Sequence, residues 1–500
     1  MTSPDKIDPV ISKDEMGQHL ETGTSSPAIE ADIAPDHYNY LVERHGTANL
    51  DPVPCFDDLD PLNWPKHRKI TNLILVAFHA MMATFTAAAI QSAFVNIAED
   101  LNISIQKASY LTSLVIAVLG GAPLIWRPLA HVYGRRPIFL VSLICSLVGN
   151  IGCASSHSYG TMAFSRALTA FFIAPAIAIG SGVVTETFFK KDRGLYMGIW
   201  ATMVTLGVPI APFIFGFVAL RVGYRWIYYV LAIVNGVQFI LYFFLGHESR
   251  YVPGSSHSLK IGFVDTYLNF RRIDPSPLRA IDFIRPLFLF VRPCVIIPTA
   301  AYAMVFLWGS IMISIEIPQL YPEAFGFNTQ QVGLQNVALI IGTVLGEQIG
   351  GRMSDAWMRW GNKEGCARRA EHRLWLSYIG FTLTLVGVAV FLAQLDHSIA
   401  KEKWDVTPLV GAAIAAAGNQ IVTTVMITYA VDCYREESAS IGVFVTFVRQ
   451  IWGFIGPFWF PQMIEKLGLT KSIGVPIAMV AGVSVIPTII VQSYGQRWRK

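Results

Sequence analysis

Twelve apolar runs, six on either side of a basic polar stretch, constrain this chain more than any other feature. Each is about 20 residues or longer, the length a helix needs to cross a hydrocarbon core. In lipid each backbone N–H and C=O must be satisfied within its own segment, so the pattern calls for a polytopic helical bundle. Composition agrees: 53% of the 500 residues are hydrophobic and 14% are charged, against roughly 25% charged in ordinary globular domains. A net charge of +4 is too small to argue for nucleic acid.

Residues 1–69 hold no apolar stretch and are rich in Asp, Glu, Ser, Thr and Pro. That composition reads as a disordered cytoplasmic tail without a cleaved signal peptide. The six cysteines show neither C-x-x-C nor zinc-type spacing, which argues against a disulfide framework. No nucleotide, metal or nucleophile motif is present, so the reading is of a non-enzyme without a bound cofactor.

The expected spans are approximately 70–97, 109–127, 137–154, 160–185, 195–220, 225–245, 293–320, 330–350, 373–395, 406–431, 439–464 and 472–494. Alternate loops differ sharply in basic content. One set holds Arg127, Arg135, Arg136, Lys190, Lys191, Arg193, the stretch from Arg250 to Arg292, and the cluster from Arg352 to Arg373. By the positive-inside rule this set is cytoplasmic, which places both termini inside. The domain reading follows: tail 1–69, six-helix bundle 70–246, linker 247–292, six-helix bundle 293–494, tail 495–500. Within the linker, Phe263–Arg272 and Leu278–Val291 mix apolar and basic residues, as amphipathic surface helices do. The Asn102-Ile103-Ser104 sequon falls in the first outer loop, but so near the bilayer that chance is preferred over glycosylation.

The halves echo each other. Arg127-Pro-Leu-Ala-His131-Val-Tyr-Gly134-Arg135-Arg136 follows span 2, and Gly351-Arg352-Met-Ser-Asp355 follows span 8. Span 5 carries Gly207-Val-Pro209-Ile-Ala-Pro212, and span 11 carries Gly453-Phe-Ile-Gly456-Pro457. Six-helix repeats with Gly/Pro-interrupted helices at matching places are the signature of a transporter that rocks two halves around a central site.

At these residues the chain resembles the major facilitator superfamily, and within it the fungal twelve-span drug:proton antiporters. Further marks are Asp60-Pro61-Leu62-Asn63-Trp64-Pro65 before span 1, Arg166 early in span 4, Tyr224-Arg225-Trp226 after span 5, and Tyr429-Ala-Val-Asp432 ending span 10. The resemblance implies an all-α membrane fold of two pseudo-symmetric six-helix bundles. It also implies an inner latch, in which an acid after span 2 or 8 faces a helix start in the opposite half. Asp355 keeps that acid and is expected near Leu195, Arg135 is expected to pair with Glu186, and Asp432 is the second-half counterpart of Glu186. Arg136 belongs to the same motif. The first-half copy departs, with His131 at the acid position and Arg127 at the first glycine, so that half of the latch is expected to lack its carboxylate. Span 5 departs too, with Ala211 where the antiporter motif often has Gly.

Ionisable groups inside spans are costly and are functional candidates by default. Arg449 lies about ten residues into span 11, roughly 15 Å deep at the helical rise per residue. It reads as a substrate or coupling residue, or as a structural ion pair with Glu347 or Asp432. Arg166 matches a family position associated with proton coupling, with helix bracing as the alternative. Glu347, one turn above the inner end of span 8, reads as an inner structural pair or a proton carrier. Glu316, near the outer end of span 7, is a substrate or proton-pathway candidate, with reaching the interface as the preferred reading. His79 in span 1 reads as a helix–helix hydrogen bond, with a proton relay as the alternative. Uncharged candidates for the pathway are Gln91, Asn96, Asn235, Gln238, Tyr302, Trp308, Gln335, Asn336, Asn419, Gln420, Tyr429 and Trp452, many of which would serve equally to bond neighbouring helices. The expectation is a monomeric, proton-coupled exporter of small organic molecules in the plasma membrane or an internal one. Alternatives are an importer of organic cations, polyamines or other nutrients, and, more remotely, a non-transporting sensor.

Overall fold

The computed structural model describes residues 34–252, 272–275, 277–363 and 370–499. The linker segment expected from Phe263 to Arg272 therefore lies largely outside the described residues. Twelve helices are long and apolar enough to cross a membrane. They are Lys66–Leu101, Ile105–Tyr133, Arg135–Ala154, Tyr159–Thr187, Lys190–Val222 and Arg225–Leu245 in the first half. Pro293–Phe325, Thr329–Ser354, Ala370–Ala400, Thr407–Cys433, Ser438–Phe458 and Leu469–Trp498 form the second. They are numbered spans 1 to 12, and no strand occurs among the described residues. The end carrying Arg135, Arg193 and Arg373 is called inner.

Several spans are interrupted, and the cause differs from one to the next. Span 4 breaks at Ala174, where Pro175 supplies no amide to the preceding turn. Span 7 widens into a π-turn over Leu307–Met312 before resuming at Ile313–Phe325. Span 1 ends its first helix at Ala88, passes through a 3-10 turn at Gln91–Ala93, and resumes at Phe94–Leu101. No Pro or Gly stands at that break. Instead Arg166 from span 4 donates to the Thr86 and Ala87 carbonyls at 3.5 and 3.3 Å. A cation on the carbonyl end of a helix is favoured by both hydrogen bonding and the macrodipole.

Within the first half span 1 packs on span 5 and span 3 on spans 4 and 6; within the second, span 10 packs on spans 7, 8 and 9. Two seams join the halves, span 2 with span 11 and span 5 with span 8. Exchanging the halves maps one seam onto the other, the geometry of an internal repeat. At the outer end a third contact closes the bundle, where Ile313–Phe325 of span 7 packs on the outer segment of span 1.

The amino-terminal region departs from expectation. Residues 34–65 form a folded strap, with a helix at Pro35–His45 and a 3-10 turn at Pro61–Asn63. Leu41 is fully buried. Arg44 pairs with Asp58 and donates to the Asn63 carbonyl at 2.9 Å, and Tyr40 donates to Asp58. Lys190 at the start of span 5 pairs with Asp51 at 2.8 Å, and Tyr251 donates to Asp57 at 2.9 Å. The charged residues that suggest disorder in composition are here the attachment points. Residues 1–33 lie outside the described part.

Candidate functional site

Arg449 occupies the middle of span 11, one turn before Gly453. Its Nη1 donates to the Tyr302 hydroxyl at 3.1 Å, and its guanidinium sits 4.7 Å from the centre of the Phe306 ring. A Cβ at Gly453 would lie 3.3 Å from both Phe306 and Ile116. Ile116 belongs to span 2, so this corner of the second half abuts the first. Neither Glu347 nor Asp432 pairs with Arg449, so of its two readings the structural ion pair with them does not form. Glu347 instead accepts from Gln420 of span 10, and Asp432 pairs with Arg373 at 3.3 Å. Among the described residues Arg449 has a phenol and a phenyl face but no carboxylate partner within 4 Å. A half-buried cation held by a ring quadrupole keeps unspent capacity for an anionic or electron-rich ligand.

Arg166 is almost wholly buried, and besides the span 1 carbonyls it donates to the Leu111 carbonyl of span 2 at 3.2 Å. Its contacts brace three spans at the break in span 1. Glu316 is 1% exposed and its Oε1 has no hydrogen-bond partner. It does not reach the interface, because the outer segment of span 7 is covered by span 1 rather than by solvent.

Several uncharged candidates, Trp308, Gln335, Asn336 and Gln238 among them, combine a packing or hydrogen-bonding role with a buried polar atom left unpartnered. Trp308 is fully buried against Trp459 and Phe460, with ring centroids 5.5 and 5.3 Å away, so it packs inside the second half. Asn336 and Gln335 donate to their own helix, and Gln238 donates to the Leu75 carbonyl at 3.1 Å. His79 lies 3.1 Å from the Ser142 hydroxyl, a bond between spans 1 and 3. Tyr429 is fully buried with an unpartnered hydroxyl, turned into the second bundle rather than shared with Asp432. The Gln91, Asn96 and Asn419 side-chain carbonyls are buried and unpartnered, as are both polar atoms of Asn235. Buried polar atoms without partners are rare in native structures, so each is a position where a polar partner would be favourable.

The inner ends of the two halves carry matched clamps. In the first, Arg135 at the start of span 3 bonds Glu186 at the end of span 4, with Nη2 to Oε1 at 2.7 Å. Ser249 donates to the same carboxylate at 2.9 Å. Arg136 donates to the Phe243 and Gly246 carbonyls, capping the end of span 6. In the second, Arg373 at the start of span 9 pairs with Asp432 at the end of span 10 and donates to Ser354 at 2.5 Å. Arg499, at the end of span 12, pairs with Glu371 at the start of span 9.

Two carboxylates at this end, Glu371 and Glu248, carry no motif in the sequence. Glu248, three residues beyond span 6, accepts from the backbone amides of Arg135, Arg136 and Arg250 at 2.8, 2.9 and 2.8 Å. It therefore sits on the amino end of span 3, where unpaired amides and the helix dipole favour an anion. Burial pushes the Glu248 carboxyl above the usual range, and the three amides with Arg135 pull it back. Gly134 turns the chain with φ +95°, and a Cβ there would meet Ile273 at 2.6 Å as well as the Glu248 carboxylate. The start of span 3 thus has an anionic cap supplied by the far end of its own bundle, a contact distinct from the cross-half one expected of position 131. His131 lies 3.0 Å from Arg250 and 3.4 Å from Asp274. The available signal was a Glu-Ser pair immediately after an apolar run.

Between the halves, Arg127 donates to Ser440 at the start of span 11 at 3.0 Å. The Asp355 side chain lies outside the described ones, so its expected approach to Leu195 carries no description. Asn102 is exposed and ends the outer helix of span 1 in the left-handed region with φ 51°.

Two pseudo-symmetric six-helix halves, seamed at spans 2/11 and 5/8 and holding Arg449, without a carboxylate partner among the described residues, in the middle of span 11, define a multi-pass membrane transporter. The chain belongs to the Major Facilitator Superfamily, whose family model matches residues 74–457. It is similar to the protein named Efflux pump radE of Floropilus chiversii, 26% identical over 457 residues, covering 89% of this chain and 83% of that one. It is also similar to MFS-type transporter penM of Penicillium rubens, 24% identical with 89% and 88% covered. The protein named Probable efflux pump mfs2 of Aspergillus flavus is 26% identical, with 80% and 96% covered.

Proposed function

We propose that this chain is a proton-coupled antiporter of the plasma membrane that exports small organic molecules, of the drug or secondary-metabolite kind. The observation that carries the reading is Arg449, a mid-membrane cation with Tyr302 and Phe306 as its only described neighbours of note. A site built from an arginine, a phenol and a phenyl face suits a substrate that joins an aromatic body to an acidic or electron-rich group. Two relatives named efflux pumps support the outward direction. The proton gradient is the energy source in this reading, and no bound cofactor takes part.

The test is efflux of a panel of aromatic acids, phenols and organic cations from cells with an imposed pH gradient. Wild type is expected to expel aromatic acids or phenols faster when the outside is acidic. Arg449→Ala is expected to lose about tenfold or more in transport of the preferred substrate, the consequence of removing one charge-assisted contact in a low-dielectric site. Efflux that ignores the gradient would remove proton coupling, and an unaffected Arg449→Ala variant would remove the substrate site.

A further inference from the structure

We propose that Glu316 is the proton-binding group that locks the outer end shut: the seam between spans 1 and 7 closes only when this carboxyl is neutral. The proposal rests on the proton-coupled reading above and names the group that does the coupling.

Glu316 stands at the start of the outer segment of span 7, four residues after the π-turn. It is 1% exposed, Oε1 has no hydrogen-bond partner, and no basic group lies within ion-pair distance among the described residues. The segment that carries it packs on the 3-10 turn Gln91–Ala93 and on Phe94–Leu101, both of the opposite half. The Gln91 Oε1 and Ser92 Oγ atoms of that turn are themselves buried and unpartnered. This face of the seam therefore offers polar atoms but no cation.

The charged groups on the surrounding elements are engaged elsewhere or placed away. On Phe94–Leu101, Asp100 pairs with Arg225 and accepts from Tyr224, and Glu99 is exposed. On span 2, Lys107 lies over the Tyr159 ring, and Tyr110 stacks on Phe458. On span 8, Glu347 bonds Gln420 in the inner half. On span 9, Asp396 accepts from Thr470, and His397 lies in the outermost turn. On its own helix, Tyr321 is buried with an unpartnered hydroxyl, and Glu323 lies two turns further out.

A carboxylate sealed in such a place would be desolvated with nothing to offset it, whereas the neutral acid is tolerated. A proton taken from outer water converts the carboxylate to the acid, no electron moves, and the closed seam becomes stable. Loss of the same proton to the inner side leaves an unpaired charge in the closed seam, and relief of that cost opens the outer end. One proton inward is thereby tied to one outward opening. The closed seam described here corresponds to the protonated form.

The experiment uses the full chain in proteoliposomes with Thr329→Cys, a residue of the outer span 5/8 seam whose hydroxyl donates to the Gly216 carbonyl at 3.3 Å. Labelling by a membrane-impermeant maleimide, each rate divided by that of the detergent-denatured protein at the same pH to remove the thiol's own ionisation, reads outer opening, with the chain lacking that cysteine as the blank. The rate is expected to rise about tenfold as the outer pH goes from about 5 to about 8, which is what roughly 1.4 kcal/mol of shifted gating equilibrium gives. Glu316→Gln, permanently neutral, is expected to label slowly and without pH dependence, and Glu316→Asp to restore the rise. Retention of the wild-type rise in Glu316→Gln overturns the proposal, as does a flat wild type. If Glu347→Gln flattens the response while Glu316→Gln does not, proton coupling stands and this assignment fails. If export itself ignores the gradient, the functional reading fails with it.

Discussion

Glu248 is an anionic cap that the motif after span 2 does not contain, serving the start of span 3 in its own half rather than the cross-half latch expected of position 131. The sequence motif after span 2 offers His131 where an acid is expected, yet the amides opening span 3 still bond a carboxylate. The anion comes from beyond span 6, more than a hundred residues later, and so ties spans 3 and 6 together at the inner end. Replacement by Gln keeps the size and removes the charge. Glu248→Gln is expected to cost about 1–2 kcal/mol, the range for an anion at a helix amino end together with charge-assisted hydrogen bonds. A lowered apparent melting temperature of the purified protein in detergent checks this; equal melting of the variant would mean that the amides find another partner. Pairs such as Arg135 with Glu186 were legible from the motif, because the motif itself places them. Glu248, Glu371 and Arg499 were not, since their partners are fixed only once the bundle has closed.

The elements divide by what their signal depends on. Spans were readable because about 20 apolar residues leave no other option in a bilayer, and the observed spans differ from the expected ones mainly at their ends. The break in span 1 was hidden, because an Ala-rich run without Pro or Gly gives no local cue and the bracing arginine comes from span 4. The strap at residues 34–65 was hidden for the opposite reason: its composition resembles disorder, and its order comes from distant pairs such as Lys190 with Asp51. One of its contacts titrates. Trp64 meets the His247 ring edge-on at 5.7 Å, and Arg68 lies over Trp64 at 4.8 Å. Burial, with Arg68 beside it, pushes the His247 pKa down from 6.5 to about 4. The docked form is neutral and the undocked form binds the proton more readily, so this contribution is complete above 6.5 and is lost as pH falls from 6.5 toward about 4. Trp64 fluorescence or proteolytic cutting of the strap is expected to report loosening across that window. His247→Asn is expected to flatten the response, and an unchanged profile in that variant would place the titrating group elsewhere.

At the scale of the molecule, the two seams decide which way the transporter can face. Span 2 meets span 11 from Arg127 with Ser440 at the inner end to Tyr110 stacked on Phe458 at the outer end, with ring centroids 4.5 Å apart. In span 5 against span 8, backbone meets backbone at the outer end. A Cβ at Gly333 would lie 2.5 Å from the Pro212 carbonyl oxygen, and one at Gly216 would lie 2.7 Å from that of Thr329. Small residues are how helices in lipid come this close, and here they sit at the contact that must part for the outer end to open. Gly333→Val would prevent the close approach without touching any charged group of the inner clamps. It is expected to bias the protein toward outer opening, since only the closed form suffers the clash. Maleimide labelling at Thr329→Cys should then be faster than wild type at every pH, with export reduced and the melting temperature little changed. The double variant Gly333→Val, Glu316→Gln separates the two causes of opening. Steric opposition to closure persists when the proton site is neutral, so the double variant should label faster than Glu316→Gln alone. Equal rates for those two would mean that the span 5/8 contact does not govern the outer end.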